Sequence, residues 1–249
     1  MRDNLLQYRV EIKVNGSLLE FHSCEIRTGG VPGPDCEICF PKTIVLQQGW
    51  PVTVTLAWMP GKSATVFTGR ICSLHRKGND KATALVFSSN NQIYWTTIKA
   101  GSWQQTAARE IIIDLLQQCK IDNYNLDHEP AVTVKRFSHG QTTAKTILQK
   151  LINTLASYGQ PDMLYFFDHL DTFRFGSLDD TRIAADRMDI QRGVNLIRVD
   201  GNRYEAFALP VQYNQVVHVD DQPLLCATSH LYLSPARNRI EFTGVPCDP

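Results

Sequence analysis

The sequence lacks any long apolar run: no stretch of its 249 residues approaches the roughly 20 consecutive apolar residues that a membrane-spanning helix requires. It also lacks a charge excess, since 25 basic residues balance 25 acidic ones, and this argues against a dedicated nucleic-acid-binding protein. Residues 1–8 lack the apolar core of a signal peptide, which predicts that the seven cysteines are reduced thiols in a cytoplasm.

Several catalytic and binding motifs are also missing. The seven histidines form no His-Glu-x-x-His pattern, and there is no Gly-x-Ser-x-Gly nucleophile motif. The glycine-rich segment 28–34 contains two prolines and precedes no helix, so it is not a phosphate-binding loop. The acidic groups Asp168 with Asp171, Asp179-Asp180 and Asp220-Asp221 are typical of turns. We therefore expect no catalytic residue, no metal ligand and no cofactor, and a protein that is not an enzyme.

Cys36 and Cys39 form the only Cys-x-x-Cys pair, within the stretch PDCEICFPK at residues 34–42. A zinc site would need a second pair, and a redox motif would need a helix N-terminus to stabilise a thiolate. Alternation instead predicts a strand with Cys36 on the face of Ile38 and Phe40 and Cys39 on the opposite face. The two thiols then point apart, and we interpret them as small apolar fillers that share neither a bridge nor a metal.

Residues 1–90 show the alternation and turn spacing of an antiparallel β-domain. Apolar and charged residues alternate from Tyr8 to Val14, and Asn15-Gly16 predicts a hairpin turn that leads to a return strand over 18–26. Further strands are predicted at 36–40, 52–58, 65–69, 71–76 and 82–88. Strands at such regular spacing favour a small antiparallel barrel.

Residues 91–188 change to helical periodicity, and residues 189–249 return to strands. Helices are predicted over 104–118 and 143–158, with Gly159 as the stop of the second. Strands are predicted at 132–137, 163–167, 172–175, 194–199, 204–208, 215–219, 224–233 and 239–242. The predicted fold class is α+β, mainly β, with two small antiparallel β-barrel domains, 1–90 and 189–249, that flank a small α/β domain, 91–188.

The two β-regions carry a weak internal repeat. The segments 75–87 and 230–242 have equal length, and each runs strand, polar turn, strand from a His to a Phe. A strand that opens with Pro-Val is predicted upstream of each, at Pro51-Val52 and at Pro210-Val211. A repeated β-unit around a helical insert is a signal of domain organisation.

Three regions of the chain, taken in order, resemble the baseplate hub proteins of bacteriophage tails. The first contains YRVEIKVNG (8–16), GWPVTVTLAW (49–58) and ATVFTGRICSLHRKG (64–78). The second contains TTAKTILQKLINTLASYG (142–159) and DMLYFFDHLDTFRFGSL (162–178), and the third is the closing stretch from Leu209 onward. The same resemblance takes in late-control D tail proteins and the N-terminal region of type VI secretion spike proteins.

The resemblance implies a structural virion protein of the tail baseplate, assembled in the host bacterial cytoplasm. Such hubs are homotrimers whose paired barrels form a pseudo-sixfold ring, which adapts the sixfold tail tube to the threefold central spike and lines the channel. The implied partners are two further copies, the tail tube protein, the central spike protein, and baseplate wedge or tape-measure proteins. Nucleic acid would only pass through the lumen.

The sequence also indicates where subunits could touch. Trp50, Trp95 and Trp103 lie at element ends and are either core residues or interface anchors, whereas Trp58 is expected in the core. The loop that holds Gly29, Gly30, Pro32, Gly33 and Pro34 is expected to be a contact arm toward a neighbouring subunit. Two alternatives remain open for the whole chain: a tail-tip peptidoglycan hydrolase and a cell-wall-binding module.

Overall fold

The computed structural model describes residues 8–29, 35–59, 61–78, 80–177 and 180–247, which form two compact units. We call the first, from the described parts of 1–88, 169–171 and 183–249, the β-rich unit, and the second, from 89–168 and 172–182, the helical unit. Strands dominate the described residues, most pairs are antiparallel and three segments are helical, which confirms the predicted α+β, mainly β class. The separation into two barrels and the borders at 90 and 188 stay predictions.

The first half of the β-rich unit contains seven strands. They are β1 (Arg9–Val14), β2 (Ser17–Leu18), β3 (Ser23–Thr28), β4 (Asp35–Pro41), β5 (Pro51–Met59), β6 (Lys62–Lys77) and β7 (Lys81–Phe87). The predicted turn joins β1 to β2, with both residues in the left-handed region: φ is 49° at Asn15 and 81° at Gly16.

The last part of the β-rich unit contributes six more strands. They are β15 (Ile183–Ile190), β16 (Leu196–Asp200), β17 (Arg203–Phe207), β18 (Gln215–Val219), β19 (Gln222–Leu233) and β20 (Arg239–Pro246). Both segments of the predicted repeat form antiparallel hairpins, β6 with β7 and β19 with β20. Pro210 and Val211 belong to no strand, however, so the Pro-Val opening predicted for the second repeat is wrong.

One sheet joins the two halves of the β-rich unit. Its strand order is β16-β17-β20-β19-β3-β4-β7-β6-β5-β1-β2, while β18 pairs with β19 and, in parallel, with β15. The junction is the antiparallel pair of β3 and β19, in which Ile26 lies opposite Leu231. The inward side chains of both halves form a single apolar cluster that includes Ile12, Phe67 and Phe242.

The helical unit has its own apolar core. Its elements are α1 (Asn90–Trp95), β8 (Thr97–Ile98), β9 (Gly101–Ala107), α2 (Ala108–Gln118), β10 (Tyr124–Asn125), β11 (Thr133–His139), β12 (Thr142–Thr143), α3 (Ala144–Ala156), β13 (Met163–Phe167) and β14 (Phe173–Ser177). Buried residues at helical spacing, such as Ile111 and Leu115 on α2 or Leu148 and Leu151 on α3, pack together. No helix within the described ranges is long and apolar enough to cross a membrane.

Three sequence-based elements differ from the structure. The return strand expected over 18–26 is interrupted, because β2 pairs with β1 whereas β3 pairs with β4 and β19. The strands expected at 65–69 and 71–76 are one strand, β6, which continues through Gly69. A Cβ atom at Gly69 would lie 2.6 Å from the Phe87 carbonyl oxygen, so glycine permits the close approach of β6 and β7. The helix expected from 104 starts at Ala108, since residues 101–107 form β9 and pair with β11.

Candidate functional site

The β-rich unit contains a cleft of about 440 Å³ on the polar face of its sheet. Five neighbouring strands build it: β16, β17, β20, β19 and β3. Its lining residues are mainly charged or hydroxylated: Arg27, Thr28, Gly29, Arg198, Asp200, Arg203, Tyr204, Glu205, Thr228, Ser229, His230, Glu241, Phe242 and Thr243. The composition suits a polar macromolecular contact more than a small apolar ligand, whose sites are mostly hydrophobic.

Strand register places one ionisable row across this face. Directly opposed residues on six successive strands are Asp35, Arg27, His230, Glu241, Glu205 and Arg198. A second row, two residues further along each strand, contains Thr228, Thr243, Arg203 and Asp200. The period of two that buries one face of most of these strands therefore gathers the charges on the other face.

Ion pairs hold the β3 side of the cleft. Arg27 contacts Asp35 at 3.2 Å and Glu25 at 3.1 Å, and His230 Nε2 lies 3.3 Å from the same Glu25 carboxylate. Burial raises the pKa of the Asp35 carboxyl, and the nearby Arg27 guanidinium opposes part of this rise. Burial also lowers the pKa of His230, and Arg27 lowers it further, so the imidazole is neutral at neutral pH.

Arg239 organises the opposite side. Glu205 and Glu241 lie directly across from each other, a like-charge arrangement that is unfavourable by itself. Arg239 offsets it with one guanidinium nitrogen 3.1 Å from Glu205 and another 3.9 Å from Glu241, and it stacks 4.6 Å above the Tyr232 ring. In the described part of the chain, Arg203 forms no ion pair and so offers its guanidinium to the cleft.

Gly29 closes the end of β3 at the rim of the cleft. Its φ of +83° lies in the left-handed region, and a Cβ atom would lie 2.4 Å from the Ala227 carbonyl oxygen and 2.8 Å from Thr228 Cα. Both obstacles are backbone atoms, so only glycine fits without a backbone shift. Beneath this point the Thr28 and Ser229 hydroxyls are 2.6 Å apart in the interior.

The residues predicted as interface anchors occupy different environments. Trp95 is 77% exposed, whereas Trp50 is half-buried against the core of the β-rich unit. Trp103 packs against the core of the helical unit, and its indole N–H donates to Asp114 at 3.1 Å. Gly29 lines the cleft, as described above. The remaining predicted contact residues, Gly30, Pro32, Gly33 and Pro34, lie outside the described residues.

The Cys-x-x-Cys stretch forms strand β4, as predicted. Cys36 is buried on the face shared with Ile38 and Phe40, and Cys39 lies on the opposite face, half-buried. The structure adds a neighbour that the motif did not reveal: Cys24 on β3, whose Sγ lies 3.5 Å from Cys36 Sγ. Burial and the nearby Cys24 raise the pKa of the Cys36 thiol well above its usual value, which disfavours a thiolate.

The first residue of the acidic turn at 168–171, Asp168, has a structural role. Asp168 is buried, accepts a hydrogen bond from the Thr172 backbone N–H at 3.0 Å and pairs with Arg174 at 2.9 Å. Its oxygens therefore stabilise the β13–β14 hairpin, in agreement with the turn interpretation. Within the described ranges, no three His, Cys, Asp or Glu side chains gather as a metal site would require.

The charged cleft itself was missed at the sequence level. A signal was present, because four of its strands and the neighbouring β4 carry charged residues two apart: Glu25 and Arg27, Asp35 and Glu37, Arg198 and Asp200, Arg203 and Glu205, and Arg239 and Glu241. This spacing indicates a charged strand face. It does not indicate which strands are neighbours, and the cleft depends on that.

With the geometry established, known structures identify the fold. The structure superposes on the 43 kDa tail protein of prophage MuSo2 from Shewanella oneidensis with a TM-score of 0.74 and 10% identity, covering 96% of this chain and 98% of that one. A tail protein from Neisseria meningitidis MC58 gives 0.70 with 12% identity, covering 95% and 96%. The chain thus has the fold of phage tail proteins.

A secretion-system protein shares the same fold. The E. coli c3393 protein, described as a type VI secretion component with structural similarity to the T4 tail proteins gp27 and gp5, gives a TM-score of 0.67 with 9% identity, covering 96% of this chain and 77% of that one. No family model and no curated protein matches the sequence. The resemblance to phage tail and type VI secretion proteins drawn from the sequence motifs is therefore confirmed at the level of the fold.

Proposed function

We propose that this chain is a structural subunit of a phage-type tail, and specifically a baseplate hub that works as a homotrimer. The observation that carries the proposal is the near-complete mutual coverage with the MuSo2 tail protein, 96% of this chain and 98% of that chain. In this proposal three copies form a pseudo-sixfold ring, which adapts the sixfold tail tube to the threefold central spike and lines the channel. Baseplate wedge or tape-measure proteins are further proposed partners, and the proposed location is the virion tail.

The edge of the sheet supports an assembly. Among the described strands, β16 pairs only with β17; apart from a single bridge between Leu196 and Arg192, its other backbone edge is open to a partner. Three apolar side chains in and beside β16 are exposed: Val194 (64%), Ile197 (45%) and Val199 (39%). An uncovered apolar edge promotes pairing with another chain, and in a stable protein a neighbouring subunit commonly covers it.

The charged cleft adjoins this edge. Arg198 and Asp200 belong to β16 and also line the cleft, so a subunit placed against the edge would meet both apolar and charged groups. Such a combination of apolar centre and polar rim is usual for specific interfaces. We therefore place the intersubunit contact of the proposed ring at β16 and the outer part of the cleft.

Light scattering coupled to size-exclusion chromatography tests the ring directly. The proposal predicts a species of three times the 28.1 kDa chain mass at high protein concentration. Ile197→Lys with Val199→Glu should shift it to monomer, whereas Val45→Lys with Leu74→Glu, which also charges two exposed apolar positions, should leave it unchanged. A protein that stays monomeric at every concentration, alone and with tube or spike partners, would refute the hub proposal.

We also propose that the chain has no catalytic activity, since its acidic turns are engaged structurally where their contacts are described, as at Asp168. The competing hydrolase function predicts clearing of peptidoglycan in a gel-overlay assay by the purified protein. The competing cell-wall-binding function predicts co-sedimentation with cell walls. Either result would replace the structural proposal.

A further inference from the structure

Two segments of the helical unit contain no acidic residue. Neither residues 89–108 nor residues 130–161 include Asp or Glu, yet they carry five cations: Lys99, Lys135, Arg136, Lys145 and Lys150. Strand pairing brings the segments together, β8 against β12 and β9 against β11. Tertiary structure thus concentrates positive charge in a chain whose net charge is zero.

Local contacts join two of these cations, Lys145 and Lys150, to the elements on either side of α3, and strand pairing brings Lys99, Lys135 and Arg136 into the same part of the unit; we call these five residues the basic face. Lys145 lies 4.4 Å from the centre of the Tyr94 ring, and the backbone N–H of Ala144 donates to the Thr96 carbonyl, so the start of α3 adjoins the end of α1. Further along α3, Lys150 donates to the Ser138 carbonyl on β11. The basic face therefore extends from α1 across α3 to β11.

The cations of the basic face lack acidic partners. Lys99, Lys135, Arg136 and Lys150 are exposed, Lys145 is half-buried, and none of the five forms an ion pair with a carboxylate within the described residues. The ion pairs of this unit involve other residues, such as Arg109 with Glu129 at 2.7 Å. Unpaired like charges on one surface are available to a partner of opposite charge.

Trp95 adds an apolar anchor to the basic face. It follows Tyr94 at the end of α1 and is 77% exposed, the most exposed aromatic side chain among the large apolar residues of the described structure. Tryptophan is enriched at the energetic centres of protein interfaces. An exposed indole next in sequence to Tyr94, whose ring Lys145 contacts, together with the positive charge of this face, is the complement of an acidic segment that also carries an apolar side chain.

We propose that the basic face is the docking surface for an acidic segment of another protein, with Trp95 as its anchor. The aromatic arrangement favours a protein over a single-stranded nucleic acid, because nucleic-acid sites stack successive bases on successive exposed rings. Here Tyr94 is covered by Lys145, and Trp103 packs against Phe137 and His139 at ring distances of 5.7 and 5.3 Å. This docking surface belongs to the helical unit alone and does not depend on the ring proposed above.

The test uses the full chain and a fluorescein-labelled peptide of glutamate residues with interspersed leucines, read by fluorescence anisotropy. The peptide should bind more weakly at about 200 mM than at about 50 mM salt, as expected for exposed charges. Replacing Lys99, Lys135 and Lys145 with glutamine should weaken binding about tenfold, and Trp95→Ala should weaken it by a similar factor. A matched triple change to glutamine at the exposed Lys13, Lys62 and Lys81 should leave binding unchanged.

Several outcomes would overturn the docking proposal. If oligothymidylate displaces the peptide and binds more tightly, the basic face is a nucleic-acid surface. If the two triple lysine variants weaken binding equally, the attraction is non-specific. If light scattering shows that the triple variant at Lys99, Lys135 and Lys145 no longer self-associates, the occupant is a second copy of this chain. Absence of peptide binding at low salt also refutes the proposal. Circular dichroism and thermal unfolding of each variant verify that a loss of binding is not a loss of fold.

Discussion

Replacing Gly29 with alanine should destabilise the β-rich unit far more than the same replacement at Gly49. Both glycines have a positive φ, +83° and +85°, so alanine is strained in the left-handed region at either position. They differ in their surroundings. A Cβ atom at Gly29 would lie 2.4 Å from the Ala227 carbonyl oxygen, whereas a Cβ atom at Gly49 would meet no atom within 4 Å.

The expected loss of stability follows from two contributions, the backbone strain of alanine and the overlap of its Cβ atom. The left-handed conformation costs alanine about 1–2 kcal/mol at either position. At Gly29 the overlap with backbone atoms of 227 and 228 adds about 1–3 kcal/mol, as for overpacked sites, because β3 must move away from β19. The free energies of unfolding of the two variants should therefore differ by about 2 kcal/mol. Alanine also stabilises by restricting the unfolded chain, but this contribution is the same in both variants and cancels from the difference.

Urea unfolding followed by far-UV circular dichroism measures this difference. The midpoint should be lower for Gly29→Ala than for Gly49→Ala at an unchanged m-value, since both variants expose the same surface on unfolding. The melting temperature should differ by about 4–8 °C for a protein of this size. Equal free energies of unfolding for the two variants would refute the close approach of β3 and β19 on which the cleft depends.

Three further predictions concern side chains. Asp168→Asn should lower the free energy of unfolding by about 1–3 kcal/mol, because the buried charged acceptor for Arg174 is lost; calorimetry showing no change would contradict it. Cys36 should resist iodoacetamide in the native protein while Cys39 reacts, since burial raises the pKa of the Cys36 thiol; mass spectrometry showing equal labelling would contradict it. His230 has a lowered pKa when folded, so the unfolded chain binds its proton first and stability should fall as the pH drops through 6.5. His230→Gln should remove that part of the pH dependence in urea titrations.

The cleft and the basic face suggest a division of roles between the two units. The cleft and the open β16 edge occur in the β-rich unit, where the proposed ring contact lies. The basic face occurs in the helical unit, where the sequence predicted a small α/β domain between the β-regions. The proposed hub would use the β-rich unit to assemble with its own copies and the helical unit to recruit a different protein.

The sequence by itself determined the local elements and the fold class. Helices α2 and α3 follow from apolar residues at helical spacing, such as Ile111 with Leu115, and the strand that carries Cys36 follows from simple alternation. The sequence did not predict β9, and the helix predicted from 104 included part of it. Residues 103–107 show no clear hydrophobic period, and their strand depends on pairing with β11. Local periodicity indicates which face of an element is apolar, and for α2, α3 and the strand that carries Cys36 this was sufficient to predict the element.

Only the tertiary structure decided which elements are neighbours. Glu25 and His230 meet although they are 205 residues apart, and Cys24, not Cys39, lies beside Cys36. The basic face likewise requires β8 to pair with β12, and the exposure of Trp95 depends on how α1 packs. The backbone of any strand can form hydrogen bonds with many other strands. Which strands pair is therefore decided by the burial of the shared apolar core and not by the residues of one strand.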